Sequence, residues 1–146
     1  MHDVVIVGCG PTGMMLAGEL ALAGVEAVIL ERRASQDLVG SRGGGIHART
    51  IELLDQRGIA ERFLAEGDAL QAATFGGATL DLSSLPTRHP STLALFQNHI
   101  ERLLRGWADE LGVAIHHRAD VVGVEADGEG VDITLASGDR TPRAAV

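Results

Sequence analysis

The stretch VVIVGCGPTG, residues 4–13, runs four apolar β-formers into glycines at positions 8, 10 and 13. Val4 to Val7 is continuous rather than alternating, which predicts a strand covered on both faces. Pro11 fits the first turn of a helix and Gly24 the left-handed residue after its end, so a helix is expected over 11–23. That helix carries one charge, Glu19, and is expected to be largely buried. EAVILE (26–31) reads as a second buried strand. Strand, glycine turn, helix and strand together make a right-handed βαβ unit.

Each glycine then has a task. Gly8 permits a tight turn, Gly10 lets the backbone approach a pyrophosphate, and Gly13 lets the helix lie close to the strand. Pro11 and Thr12 open the helix, whose free amides and dipole favour phosphate at that end. Glu31 stands 18 positions beyond Gly13, near the spacing of about 20 expected of a ribose-binding carboxylate. The loop therefore reads as a dinucleotide site. A carboxylate accepts ribose hydroxyls and repels a 2′-phosphate, so NADP is disfavoured there. Arg32 and Arg33 keep an alternative open, because a nearby arginine could receive a phosphate; they read equally well as solvated charges. NAD and FAD share the ADP half, so the glycine pattern does not separate them.

Beyond Glu31 the pattern changes. RRASQDLVGSRGGG (32–45) has little periodicity and reads as a long loop, a kind of segment that is often functional. Helices are expected from about 48 to 57, ending at Gly58, and from 60 to 66. Alternation in ATLDLSSL (78–85) and TLALF (92–96) predicts short strands around a turn containing Pro86 and Pro90. From Asn98 to Leu111, Ile100, Leu103, Leu104, Trp107 and Leu111 share one face of an amphipathic helix. Asn98 and Glu101 make a capping-box-like start to it. VAIHH (113–117) is a third parallel strand. The remainder reads as a three-stranded meander: DVVGVEA, VDITLA and RTPRAAV.

The 146 residues are 45% hydrophobic and carry a formal charge of −8, with 20 acids against 12 arginines and no lysine. That is one ordinary globular domain whose field does not concentrate nucleic acid or anionic lipid, so neither is an expected partner. One cysteine, Cys9, excludes an internal disulfide and a multi-cysteine zinc site; it reads as a buried filler of the loop. His47, His89 and His99 lack ligand spacing, and His116 and His117 adjoin on a strand and so face opposite ways. No basic n-region precedes the first apolar run, and no stretch reaches the roughly 18 apolar residues of a membrane span, so a cytoplasmic protein is expected.

With SRGGGIHART (41–50) the chain resembles, over essentially all 146 residues, the class A flavoprotein aromatic hydroxylases of the p-hydroxybenzoate hydroxylase fold, and within them the polyketide, rifampicin and tetracycline-type enzymes. The resemblance runs through GxGxxGxxxAxxxxxxG with Ala17 and Gly24, then LER, then SRxxGxHARTxExxDxRG. It continues with a glutamine at a helix entry and ends in the meander. The arginine-histidine segment is much more specific than the glycines. It implies an α/β, Rossmann-like parallel sheet with a three-stranded β-meander, a GR2-type FAD-binding fold incomplete at its C-terminus. Residues 1–146 would be the N-terminal part of the FAD-binding domain, with the substrate domain and later FAD-binding segments absent.

By the same resemblance Arg42 reaches the flavin side of FAD, Gln97 lies near the ribityl chain, and the Val121 backbone meets adenine. Gly43 to Gly45 fall beside the isoalloxazine. NAD(P)H is implied as transient reductant, O₂ as co-substrate, and an aromatic or polyketide-like small molecule as acceptor of oxygen from a flavin C4a-hydroperoxide. No acid or base of this chain is expected to be catalytic. The apolar end at Val146 suggests part of a longer chain, and this piece alone is expected to bind FAD poorly and hydroxylate nothing. A standalone non-catalytic dinucleotide-binding module is the rival reading; an oxidase or ring-opening monooxygenase of the same family is another. An NAD-linked dehydrogenase would need a helix and strand soon after Glu31, where the Arg42 loop stands.

Overall fold

The computed structural model describes residues 2–35 and 40–139 and the backbone of 144–145. In chain order the elements are β1 (Val4–Val7), α1 (Pro11–Leu22), β2 (Ala27–Glu31), α2 (Ala48–Gln56), α3 (Ala60–Leu64), β3 (Asp68–Leu70) and β4 (Ala72–Phe75). There follow β5 (Ala78–Asp81), β6 (Thr92–Ala94), α4 (Gln97–Glu110), β7 (Ala114–His117), β8 (Val121–Asp127), β9 (Gly130–Leu135) and β10 (Ala144–Ala145). They divide into two compact units: Met1–Asp37 with Leu104–Val146, and Leu38–Leu103.

In the first unit β1, β2 and β7 form a parallel sheet in the order β1-β2-β7, with Ile29 opposite both Ile6 and Ile115. The central strand β2 is the covered one, with Val28, Ile29 and Leu30 all buried. This corrects the expectation for Val4 to Val7: Ile6 alone is buried and Val7 is 58% exposed, because β1 is the outer strand of the three. Helix α1 buries Met14, Ala17 and Gly18. A Cβ at Gly18 would overlap the indole of Trp107 on α4, so the small residue sets how closely the two helices approach. Trp107 is core, as its place on the apolar stripe predicts. The antiparallel β10-β9-β8 sheet joins the parallel one through Leu30, Ala119 and Ile133, with Val5, Val121, Val131 and Leu135 packed around them. Its third strand is described only at 144–145; the expected 140–143 and 146 lie outside the described residues, as do 36–39 of the long loop.

The second unit centres on Ile51, Leu54, Ile59, Phe63, Leu93, Leu95 and Ile100, all buried. Gly58, at φ +71°, makes the turn between α2 and α3. The strand pairing differs from expectation. β5 pairs with β4 through a Gly76–Gly77 turn, and β6 pairs with β3. Strands β3 and β4 carry no strand signal in sequence, because ALQAAT (69–74) is rich in alanine and has little alternation. Two left-handed glycines give the primed turn geometry that joins neighbouring antiparallel strands, so the hairpin closes there rather than at the prolines.

Candidate functional site

The glycine loop follows β1 and is shaped before any ligand is considered. Gly8 sits at φ +104°, a conformation side chains disfavour, and its amide donates to Leu30 O at 2.8 Å. A Cβ at Gly13 would overlap the Gly8 carbonyl oxygen, so helix and strand meet at backbone distance. Gly10 is different: it has no heavy atom within 4 Å of where a Cβ would stand. It caps α1 in extended geometry without a side-chain capping bond, Pro11 follows, and the first turn holds no acid. The Met14 amide is the first to close a helical bond, to Gly10 O at 3.0 Å. The Thr12 and Gly13 amides therefore stand at the positive end of the dipole, beside an open glycine face. That combination fits a pyrophosphate.

Glu31, at the carboxyl end of β2, is buried and almost fully engaged. Its Oε2 accepts the Cys9 amide at 2.7 Å, and its Oε1 accepts the Arg33 amide at 2.8 Å. The Arg33 guanidinium adds Nε to Oε1 at 3.2 Å and, from Nη2, a bond to Cys9 O at 3.1 Å. Burial pushes the Glu31 carboxyl up. The Arg33 and Cys9 amides and the guanidinium more than offset this, holding it below the usual carboxylate range. Arg33 Nη2 also reaches Oε2, at 3.5 Å. A carboxylate has about four acceptor sites, and this fourth contact is a long one, so a further donor can still compete for that site. The acid expected from sequence to bind ribose is a carboxylate that is also tied to its own loop. Arg33, equally readable as a solvated charge, is its partner. The signal was available: residues two apart in extended chain point the same way, as Glu31 and Arg33 do.

The Arg33 backbone is anchored too. Its carbonyl accepts the Arg118 amide at 3.0 Å and lies 3.3 Å from His117 Nδ1. On the other side His117 Nε2 faces Arg105 Nη1 at 3.2 Å. A guanidinium only donates, so Nε2 accepts, and the proton on Nδ1 goes to the carbonyl. Arg118 takes a left-handed φ of +60° to make its bond. Arg32 is exposed, and Val121 opens β8 half-buried against the Leu30 cluster.

In the second unit the loop before α2 is tied to the start of α4. The Gln97 amide donates to Ser41 Oγ at 2.9 Å and to Gly43 O at 3.0 Å, and Ser41 Oγ donates to Gly43 O at 2.5 Å. Gln97 Nε2 donates to the buried Glu101 Oε1 at 2.8 Å, and the helix begins at Gln97, so Asn98, expected as its cap, lies within the first turn. Arg42 is exposed on this loop. The three glycines separate by role. A Cβ at Gly45 would come within 2.9 Å of Leu93 O, whereas at Gly43 or Gly44 it would make ordinary contacts of 3.7 Å or more. A cavity of about 350 Å³ borders Gly44 and Gly45, with Ala72, Thr74 and Thr92 on its wall. A second cavity of about 440 Å³ lies in the first unit over Val5, Val28 and Leu30; its described lining does not include the glycine loop. Among the described residues no group of histidine, cysteine and acidic side chains could hold a metal, and no helix is long and apolar enough to cross a membrane.

Residues 1–145 match the family model described as FAD binding domain. The chain belongs to this FAD-binding family. It is 46% identical over 136 residues to the 12-dehydrotetracycline 5-monooxygenase/anhydrotetracycline 6-monooxygenase of Streptomyces rimosus, covering 92% of this chain and 27% of that one. To the rifampicin monooxygenase of Streptomyces venezuelae it is 42% identical over 142 residues, covering 96% and 30%. The structure of the anhydrotetracycline hydroxylase OxyS from Streptomyces rimosus superposes with a TM-score of 0.91 at 44% identity, over 99% of this chain and 30% of that one. The Diels-Alderase PyrE3 superposes almost as well, at a TM-score of 0.90 and 35% identity over 99% of this chain and 31% of that one. The chain thus spans about 27–30% of the length of the curated relatives named here. The FAD-binding α/β fold expected from the glycine and SRGGGIHART segments is the fold found.

Proposed function

We propose that these residues are the N-terminal, cofactor-holding part of an NAD(P)H-dependent FAD monooxygenase that hydroxylates an aromatic or polyketide-like small molecule. The observation that carries the reading is the open face of Gly10 at an acid-free helix start, beside a carboxylate held ionised. FAD, when bound, supplies the two-electron chemistry and the activation of O₂. The work of this chain is to hold it. The Gly10 backbone and the Thr12 and Gly13 amides receive the pyrophosphate, with Gly8 shaping the turn and Pro11 starting the helix. Glu31 accepts from a ribose hydroxyl at the acceptor site that the long Arg33 Nη2 contact holds. Arg42 and Gln97 serve the flavin side and Val121 and Arg32 the adenosine side, as the resemblance to aromatic hydroxylases implies. The substrate domain and later FAD-binding segments belong to the further length that the relatives have.

The acceptor class rests on the tetracycline and rifampicin monooxygenases among the relatives. The Diels-Alderase neighbour supports a second reading, in which a closely similar cofactor fold serves a reaction other than hydroxylation. The deciding experiment uses the full-length protein. Its visible spectrum should show bound flavin, and NADH or NADPH should be consumed with O₂ when an aromatic polyketide is added, giving a product heavier by one oxygen atom. A flavin-free protein that takes up no FAD overturns the cofactor reading. A flavin-loaded protein that transforms such a substrate without O₂ favours the second.

A further inference from the structure

We propose that Arg33 is a positioning residue of the dinucleotide site: it locks Glu31 and the Cys9 backbone into one clasp that sets the glycine loop and presents the carboxylate to the ribose. The inference deepens the FAD reading and rests on it. Cys9 is the middle residue of the Gly8–Gly10 turn, and both of its backbone polar groups are taken by one ion pair. Its amide goes to Glu31 Oε2 at 2.7 Å and its carbonyl to Arg33 Nη2 at 3.1 Å. Arg33 also meets the Glu31 carboxylate directly, through its own amide at 2.8 Å, Nε at 3.2 Å and Nη2 at 3.5 Å. The turn is therefore held from its centre, and Gly8 is kept at φ +104° with Gly10 open.

The clasp does not float. Arg33 O is fixed to the Arg118 amide, and Glu31 O accepts the Ala119 amide at 3.0 Å, so the end of β2 is pinned to the turn after β7 on both sides of the arginine. His117, braced by Arg105, closes on the same carbonyl. A guanidinium suits the task because its fixed fork can bridge a carboxylate and a carbonyl at once; an ammonium reaches one point. Two consequences follow for the ligand. Loop order is established before binding, which lowers the entropic cost of capturing a phosphate. The Arg33 and Cys9 amides, with the guanidinium adding to them, also keep Glu31 an acceptor, the form a ribose hydroxyl needs.

The test measures FAD affinity of the apoprotein, prepared from the full-length protein, as pH falls from neutral into the acid range. Wild type should hold its affinity until the pH drops through the depressed Glu31 value. Arg33→Met should weaken FAD by about ten- to a hundredfold at neutral pH, the scale of hydrogen bonds to a charged group. It should also move the acid limb to higher pH, because Glu31 keeps the Arg33 and Cys9 amides but has lost the guanidinium that adds to them in holding its carboxyl down. Arg33→Lys, which keeps the charge but not the bridge, should fall between the two. A purely structural arginine would lower affinity equally at every pH. An acid limb unmoved in both variants therefore overturns the proposal, whatever happens at neutral pH. If Arg33→Met does not accumulate folded, Arg33→Lys and Arg33→Gln decide on the same curves. Wild-type protein that binds no FAD at all defeats the cofactor reading itself and this inference with it.

Discussion

The carbonyl oxygen of Gly8 occupies the place that a Cβ on Gly13 would need. Backbone cannot yield as a flexible side chain does, so any larger residue at 13 must push α1 away from β1. Gly13→Ala should destabilise the fold by about 1–3 kcal/mol, in the range of overpacking. Gly10→Ala meets open space and should melt like wild type, yet bind FAD at least about tenfold more weakly, because the methyl enters the phosphate's path. Thermal unfolding and FAD titration of the two variants side by side check both. Equal melting losses would mean Gly10 serves the fold alone.

The triple glycine makes a parallel prediction in the other unit. Gly45→Ala brings a methyl within 2.9 Å of Leu93 O, on the strand that bridges Ile46, and should lower stability. Gly44→Ala, whose nearest neighbour is the edge of Phe96 at 3.9 Å, should leave the melting temperature unchanged. A Gly44 variant as unstable as the Gly45 one would contradict this division.

Glu31 gives a pH signature. Its carboxyl is held below its ordinary value, so its contribution is complete above the ordinary carboxylate range. It is lost as pH falls through the depressed value. Glu31→Gln should remove this acid component from the stability curve. At neutral pH the substitution should cost about 1–3 kcal/mol, since Arg33 and the Cys9 amide lose a charged acceptor. Melting temperatures of both proteins over the acid range measure it; parallel curves would show that another group dominates.

Ser41 acts as a cap supplied from a distant loop. Its hydroxyl takes the Gln97 amide at 2.9 Å, at the first residue of α4. Ser41→Ala should destabilise by about 1 kcal/mol, as loss of an N-cap does, and speed hydrogen exchange at Gln97. Unchanged exchange there would mean that Gly43 O suffices.

The βαβ unit was legible because its signals are local: Val4 to Val7, the glycine spacing, Pro11 and Gly24 each act on neighbours in the chain. The same holds for the stripe Ile100, Leu104 and Trp107. What escaped sequence reading depends on partners. Val7 is exposed because of where β1 falls in the strand order, and no pattern within four residues reports that. β3 and β4 are short and without a clear alternation, and they pair because β6 and β5 lie beside them. In the site, the glycines and Glu31 announced themselves by spacing and Arg33 stands two residues from Glu31, whereas the bond from the Cys9 amide to Glu31 required the chain to fold back across 22 residues.

The chain contains one tryptophan and no tyrosine. Trp107 is 4% exposed and rests on Gly18 in the helix that begins at Pro11. Ultraviolet emission from this region therefore comes from a single indole seated against the helix that the glycine loop opens. Its intensity and wavelength report on that seam directly, and an isoalloxazine within energy-transfer range would quench it, so the domain carries its own optical gauge of cofactor arrival without any added label.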